Sequence, residues 1–166
     1  NILDPISLTC AVETIQLDAS NSSANGTLAY NWLDENNGTV GSSDVLSVTT
    51  PGNYTLVITD QNNGCTAEAT IEVLQDIAAP DVDAVAQGDL TCLDQTTQLE
   101  ALTVANLNYN WLDPNNVSIG NQATVTVGAT GVYTLMVTNP LNGCTNSTQV
   151  EVFDNIAAPT PLAVAS

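Results

Sequence analysis

Apolar and polar residues alternate along most of this chain, in short runs separated by Gly, Asn, Pro and Ser. Alternation with a period of two, bounded by turn residues, is typical of β-strands with one buried face. In the first half of the chain the apolar positions of these runs are Ile15, Leu17 and Ala19; Leu28, Tyr30 and Trp32; Leu46 and Val48; Tyr54, Leu56 and Ile58; and Ala69, Ile71 and Val73. No segment shows helical spacing over a useful length, so we predict an all-β sandwich with almost no helix.

The sequence consists of two copies of one module. Leu8-Thr9-Cys10 recurs as Leu90-Thr91-Cys92, and Tyr30-Asn31-Trp32-Leu33-Asp34 recurs as Tyr109-Asn110-Trp111-Leu112-Asp113. Internal repeats of this kind define structural units. We therefore predict a first domain at 1–76, a linker at 77–83, a second domain at 84–159 and a C-terminal strand at 160–166.

Each copy contains two cysteines at equivalent positions: Cys10 and Cys65 in the first, Cys92 and Cys144 in the second. Four cysteines allow three connectivities. The repeat symmetry favours pairing within each copy, as Cys10–Cys65 and Cys92–Cys144, because each small domain would then be self-contained. A zinc site would need more closely spaced ligands. Disulfides indicate an oxidising, extracellular location.

Charge narrows the classes of function. The 166 residues include 18 Asp and Glu but no Lys, Arg or His, which gives a formal net charge of -18. Nucleic acid is excluded as a partner, because phosphate binding requires cationic side chains. Catalysis by His, Lys or a Ser-His-Asp triad is excluded for the same lack of residues. No stretch approaches 18 consecutive apolar residues, so we expect no membrane insertion.

Paired carboxylates, as in glycoside hydrolysis, are among the few catalytic arrangements that this composition leaves open. Asp34 with Glu35, or Asp18 with Glu13, would be the pairs to consider. Neighbouring residues in a strand or turn point apart, and domains of this size offer no obvious pocket. We predict solvated surface carboxylates, no catalytic residue and no enzymatic activity.

The combined motifs carry a resemblance. They are Leu-Thr-Cys, Tyr-x-Trp, Gly-x-Tyr-Thr-Leu, Asn-Gly-Cys-Thr and Ala-Ala-Pro, in that order in both copies. This pattern resembles the PKD-like, immunoglobulin-like repeats of large secreted surface proteins and adhesins of gliding and surface-colonising bacteria. The resemblance implies β-sandwich domains of seven to eight strands that serve as spacer, stalk or adhesive units.

The same resemblance assigns roles to four aromatic residues. It implies that Trp32 and Trp111 are buried on strand C and that Tyr54 and Tyr133 lie on strand F. The turn at 33–38 departs from the Gly-Asp-Gly that is usual in PKD repeats. The fold class that we predict is thus all-β, with two tandem immunoglobulin-like (PKD-like) β-sandwich domains, each with one disulfide.

The C-terminal segment repeats the beginning of the second domain. Ala84-Val85-Ala86 follows Pro80, and Ala163-Val164-Ala165 follows Pro159 at the same spacing. One hypothesis is that the segment Leu162, Ala163, Val164, Ala165 and Ser166 pairs with the first domain of the next subunit, by head-to-tail β-augmentation. The other is that the chain is a fragment of a longer tandem array and that this segment is its cut end.

Two further kinds of site follow from the sequence. Asn-x-Ser/Thr sequons mark Asn21, Asn25, Asn37, Asn53, Asn116 and Asn146 as candidates for covalent glycans, with O-linkage to Ser or Thr equally open. Asp76, Asp81 and Asp83 at the linker have oxygen ligands suited to a structural calcium ion. A solvated acidic hinge is the alternative, and the second junction favours it, since Asn155, Thr160 and Leu162 occupy the corresponding positions.

Together these observations predict a secreted, non-enzymatic structural subunit of an extracellular filament or surface adhesin, which assembles head to tail by β-strand complementation. Its main partner would be copies of itself, with glycans or a host surface as further partners and with no required cofactor. The alternative is a spacer or carbohydrate-binding module of a larger secreted protein or enzyme.

Overall fold

The computed structural model describes residues 6–103 and 106–162, and these residues form strands, turns and loops without any helix. The absence of helix in these ranges agrees with the alternating pattern of the sequence. The chain divides into two compact units, 1–78 and 79–166. Their boundary falls inside the segment 77–83 that the repeat marks as a linker.

The first unit contains seven described strands. They are β1 (Ile6–Thr9), β2 (Ile15–Asp18), β3 (Leu28–Leu33), β4 (Thr39–Gly41), β5 (Val45–Val48), β6 (Gly52–Asp60) and β7 (Thr66–Asp76). One sheet has the order β1-β7-β6-β3-β4, and β2 pairs with β5 in the other. All pairs are antiparallel except β1 with β7, which run parallel.

The second unit repeats this plan with nine described strands. They are β8 (Ala84–Ala86), β9 (Leu90–Thr91), β10 (Thr97–Ala101), β11 (Asn108–Leu112), β12 (Ser118–Gly120), β13 (Thr124–Val127), β14 (Gly131–Thr138), β15 (Thr145–Val152) and β16 (Asp154–Asn155). The sheets are β12-β11-β14-β15, β13-β10-β8 and the parallel pair β9-β16. Phe153 interrupts the last strand, so β15 and β16 together correspond to β7.

Each unit buries its own core between the sheets. Trp32 and Trp111 are fully buried, as the sequence pattern predicts for the apolar face of their strands. Around Trp32 pack Leu17 and Val48 from the small sheet and Leu56 from the large one. The second core has the equivalent composition, namely Leu90, Leu99, Trp111, Val127, Tyr133, Leu135, Val137 and Val152. Burial of these side chains provides the main driving force for each fold.

Two local features identify the sandwich type. The Tyr54 hydroxyl group donates to the Thr50 carbonyl oxygen at 3.0 Å, and the Tyr133 hydroxyl group donates to the Ala129 carbonyl oxygen at 2.9 Å. A tyrosine that bonds the backbone a few residues earlier, beside a buried core tryptophan, is the tyrosine corner of immunoglobulin-like domains. The chain therefore folds as two tandem immunoglobulin-like β-sandwiches.

Candidate functional site

The two cysteines of the first domain lie at opposite ends of one strand. Cys65 immediately precedes β7, whereas Cys10 immediately follows Thr9, which pairs with Asp76 at the other end of β7. At about 3.3 Å per residue, the steps from Thr66 to Asp76 span roughly 33 Å. A disulfide requires Cα atoms less than about 7 Å apart.

The second domain repeats this separation. Thr91 pairs with Asn155, and the Cys92 sulfur lies 3.9 Å from the Ile156 carbonyl oxygen. Cys144 immediately precedes β15, at the other end of the strand that β16 continues. The cysteines within this domain are therefore also too far apart to bond.

The predicted pairs Cys10–Cys65 and Cys92–Cys144 are accordingly wrong. All four cysteines are among the described residues: Cys10 and Cys144 are disulfide-bonded, and Cys65 and Cys92 are free, exposed thiols. The reason is the parallel pairing of β1 with β7 and of β9 with β16. This pairing places the cysteine that follows β1 or β9 at the end of its domain opposite the loop that contains the other cysteine.

The free Cys65 lies beside an open cleft of about 490 Å³, which Leu28, Ile58, Asp60 and Asn63 also line. A second cleft, of about 460 Å³, lies at the opposite end of the first domain beside Cys10. Its equivalent in the second domain, of about 440 Å³, is lined by Leu90 and Ile156. Both ends of the first domain thus have a concave surface next to a cysteine.

The strand β10 has neighbours on both sides, whereas its equivalent β2 has one among the described residues. β10 pairs with β13 and with β8. β2 pairs with β5 alone within the described ranges. The residues of the first domain that correspond to β8 by the repeat, 2–4, are outside the described residues.

The predicted C-terminal strand falls largely outside the described residues. Ala163, Val164, Ala165 and Ser166 lie beyond the described ranges, and Leu162 is 90% exposed. Pairing of this segment with another subunit therefore stays a prediction.

All six sequon asparagines are exposed: Asn21, Asn25, Asn37, Asn53, Asn116 and Asn146. Asn37 and Asn116 occupy equivalent turns after the tryptophan strand, both with a left-handed backbone at φ 62°. The side-chain nitrogen of Asn146, the atom that an N-linked glycan would modify, donates to the Pro80 carbonyl oxygen at 2.9 Å. Glycosylation at these positions stays a prediction.

The linker carboxylates make local hydrogen bonds. The Asp83 side chain accepts from the Ala84 amide at 2.8 Å, and the Asp76 side chain accepts from the Ala78 amide at 3.4 Å. Within 6–103 and 106–162, no group of three or more His, Cys, Asp or Glu side chains is arranged to hold a metal ion. Calcium binding by Asp76, Asp81 and Asp83 stays a prediction, which melting curves in calcium and in chelator would test.

The acidic turn after the second tryptophan strand is tightly bonded. One Asp113 carboxylate oxygen accepts from the Asn115 and Val117 amides, each at 2.8 Å. The Val117 bond is the main cause that lowers the pKa of Asp113. Burial, and secondarily the Asp113 charge, raises the pKa of Tyr133. Both shifts arise from the structure of the turn and the core. Glycoside hydrolysis requires a second carboxylate beside the first, whereas the pKa of Asp113 is lowered by hydrogen bonds from the turn.

The aromatic residues likewise support structure. Trp32 and Trp111 are fully buried, and Tyr30 and Tyr109 are half-buried. Asp34 and Glu35 line a small cleft of about 260 Å³ with Thr50 and Tyr54. No helix in the described part of the chain is long and apolar enough to cross a membrane.

The repeat located the four cysteines without showing which of them lie close together. A signal was present, because each cysteine marks one end of a strand that the alternating pattern outlines. The alternating pattern does not give the direction in which β1 pairs with β7, or β9 with β16.

Comparisons with known proteins bear on the fold. No protein-family model matches the chain, and no curated protein matches its sequence. Among solved structures, the chain is similar to the three N-terminal domains of the bacteriophage RB49 highly immunogenic outer capsid protein, Hoc. The TM-score is 0.52 at 16% identity, and the match covers 90% of this chain and 55% of that one. The chain thus spans about half the length of the Hoc structure.

Two further solved structures match with lower TM-scores. Murine CEACAM1b matches with a TM-score of 0.41 at 17% identity, covering 92% of this chain and 96% of that one. The four N-terminal Ig domains of Dscam1 match with a TM-score of 0.37 at 13% identity, covering 91% and 43%. The PKD-like subtype stays a prediction. The likeness to Hoc, together with the tyrosine corners and buried tryptophans, identifies the chain as a tandem of two immunoglobulin-like domains.

Proposed function

We propose that this chain is a non-enzymatic structural subunit of an extracellular filament or surface adhesin, joined head to tail by β-strand complementation. One observation carries the proposal. In the second domain the strand β8 pairs with the edge of β10. The sequence of β8 is repeated at the C-terminus, as Ala163-Val164-Ala165.

The pairing of β8 supplies a template for the contact between subunits. In the second domain Ala86 pairs with Leu99, Val85 with Glu100, and Ala84 with Ala101. Transferred through the repeat, this register pairs Ala165 with Leu17, Val164 with Asp18, and Ala163 with Ala19. Burial alternates along β2, with Leu17 buried and Asp18 exposed. This is the pattern of a strand that has one face on the core and one face in solvent.

The N-terminal segment of the first domain is a poorer strand for this edge. In the second domain the Gln87 amide donates to the Gln98 carbonyl oxygen at 2.9 Å. The first domain has Pro5 at the position of Gln87. Proline has no amide hydrogen, so it cannot make the corresponding bond to Gln16. A strand supplied by another subunit restores that ladder through its own Gln87 equivalent, Ser166.

The geometry of such a contact favours a filament. The donated strand and the accepting edge are different surfaces of the same chain, and a heterologous contact of this kind continues as an open polymer unless its rotation closes a ring. An extracellular setting is consistent with the disulfide-bonded state of Cys10 and Cys144. The fold itself, two sandwiches with no catalytic arrangement among the described residues, suits a structural role.

The test compares the native chain with three variants by light scattering over a range of concentrations. In an antiparallel ladder, hydrogen-bonded and non-bonded pairs alternate. The Gln87 amide donates to the Gln98 carbonyl oxygen, and the Leu102 amide donates to the Asp83 carbonyl oxygen. These two bonds show which pairs of the ladder are hydrogen-bonded, so the Val85 amide faces β10 and the Ala86 amide points away. By the repeat, Val164→Pro removes a donor to the neighbouring subunit, whereas Ala165→Pro is its matched control.

We expect the native chain and Ala165→Pro to form polymers well above the monomer mass of 17.2 kDa. We expect deletion of 162–166 and Val164→Pro to give monomers with unchanged tryptophan fluorescence, because the core lies elsewhere. Assembly that persists after the deletion would contradict strand complementation. A native chain that stays monomeric at every concentration would contradict the filament itself and favour a spacer or carbohydrate-binding module.

A further inference from the structure

We infer that a copy of this chain bonds covalently to a second copy through Cys92 and Cys65. Cys10 follows β1, which pairs with β7, and Cys92 follows β9, which pairs with β16. We call these two the strand-end cysteines. We call Cys65 and Cys144, which precede the last strand, the loop cysteines. The inference rests on the head-to-tail order of the proposed function.

The first step is that neither domain can close its own disulfide. A strand-end cysteine and a loop cysteine of the same domain are separated by the length of β7, or of β15 and β16, which is roughly 33 Å. Neither domain can therefore form a disulfide between its own two cysteines.

The second step is the chemical state of the four thiols. The two bonded cysteines, Cys10 and Cys144, are one strand-end cysteine and one loop cysteine. The two free cysteines, Cys92 and Cys65, are again one of each kind. The free cysteines are thus the repeat equivalents of residues that already form a disulfide, and each lacks only a partner of the other kind. A second copy of the chain supplies that partner.

The third step is the place of each free thiol in its own domain. Cys92 lies beside Ile156, where the last strand of the second domain ends. Cys65 lies at the end of the first domain opposite the residue where β7 ends, Asp76. Head-to-tail order brings the second domain of one copy next to the first domain of the following copy. The end of the second domain that carries Cys92 would then meet the end of the first domain that carries Cys65.

The fourth step is accessibility. Cys65 is exposed beside an open cleft, and Cys92 is exposed. Cys144 and Asn142, in contrast, are almost fully buried, although Cys65 and Asn63 occupy the same positions of the repeat and are exposed. Both free thiols are thus open to a reaction partner.

The chemistry is an ordinary thiol oxidation. Cys92 and Cys65 lose two protons and two electrons as their sulfur atoms join. A small-molecule disulfide such as oxidised glutathione accepts them and is reduced to two thiols by exchange. The extracellular setting provides such an oxidant class.

The test uses the full chain in a glutathione redox buffer, analysed on non-reducing gels. We expect the native chain to form a ladder at multiples of 17.2 kDa that collapses on reduction. Cys65→Ser keeps only the free Cys92, and Cys92→Ser keeps only the free Cys65, so each variant alone should run as a monomer. An equal mixture of the two should form covalent dimers and stop there.

Peptide mapping then identifies the bonds. The chain has no Lys or Arg, but cleavage after glutamate places each cysteine in a different peptide, because Glu13, Glu35, Glu68, Glu100 and Glu151 separate them. We expect the peptides of Cys65 and Cys92 to be joined in the ladder. Covalent dimers of either single variant, or a bond between Cys10 and Cys65, would overturn the inference.

Light scattering without glutathione separates this inference from the proposed function. Polymers that form in reductant but give no covalent ladder in oxidant would support the filament and overturn the disulfide link. A chain that neither polymerises in reductant nor forms a ladder in oxidant would overturn both. A ladder that forms even after deletion of 162–166 would support the disulfide link and contradict strand complementation.

Discussion

The Tyr54 hydroxyl group donates a hydrogen bond to the Thr50 carbonyl oxygen at 3.0 Å, and lies 2.8 Å from the Thr50 hydroxyl oxygen. In the second domain Ala129 replaces the threonine, so the Tyr133 hydroxyl group makes the carbonyl bond alone, at 2.9 Å. Both tyrosines are buried. Each corner ties the beginning of a central strand to the turn before it.

Tyr133→Phe should destabilise the second domain by about 1 to 2 kcal/mol, because the Ala129 carbonyl oxygen loses its donor while the ring stays in place. Thr50→Ala is the matched control. It converts the first corner into the form found in the second and keeps the carbonyl bond, so its effect should be less than about 0.5 kcal/mol. Urea unfolding followed by circular dichroism measures both. An unchanged midpoint for Tyr133→Phe would show that the corner bond is dispensable.

Trp111→Phe should destabilise the second domain by about 2 to 4 kcal/mol, because it leaves a cavity in a packed core. It also removes the indole donor to the Gln122 carbonyl oxygen at 3.1 Å. The remaining Trp32 then reports on the first domain alone. We expect its fluorescence transition to resemble that of the native first domain, while circular dichroism shows an earlier transition. Trp32→Phe should give the mirror result, and a fluorescence transition of Trp32 that shifts with Trp111→Phe would argue against separate cores.

Native material should carry sugar on some of the exposed sequon asparagines. Enzymatic removal of N-glycans should lower the mass of the chain and leave Asp in place of each modified Asn. Thr39→Ala removes the sequon at Asn37 and keeps the asparagine whose backbone is left-handed, so any mass due to a glycan on Asn37 should disappear. A mass that equals the sequence mass before and after treatment would exclude glycans at all six positions.

The stability of the chain should rise with salt. Its 18 carboxylates have no cationic side chain to pair with, so their mutual repulsion opposes the compact state and any assembly of copies. From about 0.01 M to about 1 M salt the screening length falls from about 30 Å to about 3 Å. We therefore expect the unfolding midpoint and the polymer fraction both to increase over this range. A midpoint that falls with sodium chloride would contradict repulsion as the main electrostatic effect.

Asp113 should contribute to stability only at pH values above its folded-state pKa. The amide of Val117, and secondarily that of Asn115, bonds its carboxylate and lowers the folded-state pKa below the ordinary 3.8. Because the folded pKa is the lower one, the stabilisation is fully present above the ordinary value and is lost as the pH falls through the folded value. Asp113→Asn should therefore be less stable than the native chain at neutral pH, and the difference in unfolding midpoint should shrink in acid. A difference that is constant with pH would contradict this assignment.

Much of the fold could be predicted from the sequence, because it depends on local periodicity. The alternation around Leu17, Trp32 and Leu56 predicts which face of each strand is buried, since successive side chains of a strand point to opposite sides. The repeat predicts two domains and a junction between them. The buried tryptophans and the tyrosine positions follow from the resemblance and are observed.

The pairing of the cysteines could not be predicted in this way. Whether Cys10 lies near Cys65 depends on the direction in which β1 adds to β7, and a parallel and an antiparallel addition have the same local pattern of apolar residues. Antiparallel pairing would have brought Thr9 towards the beginning of β7, and parallel pairing brings it to Asp76.

By itself, the sequence determined the strands, the two cores and the absence of cationic chemistry, because these depend on composition and on side-chain period. Only the tertiary structure decided that the cysteines of each domain lie at opposite ends, because strand direction is set by long-range packing of the two sheets.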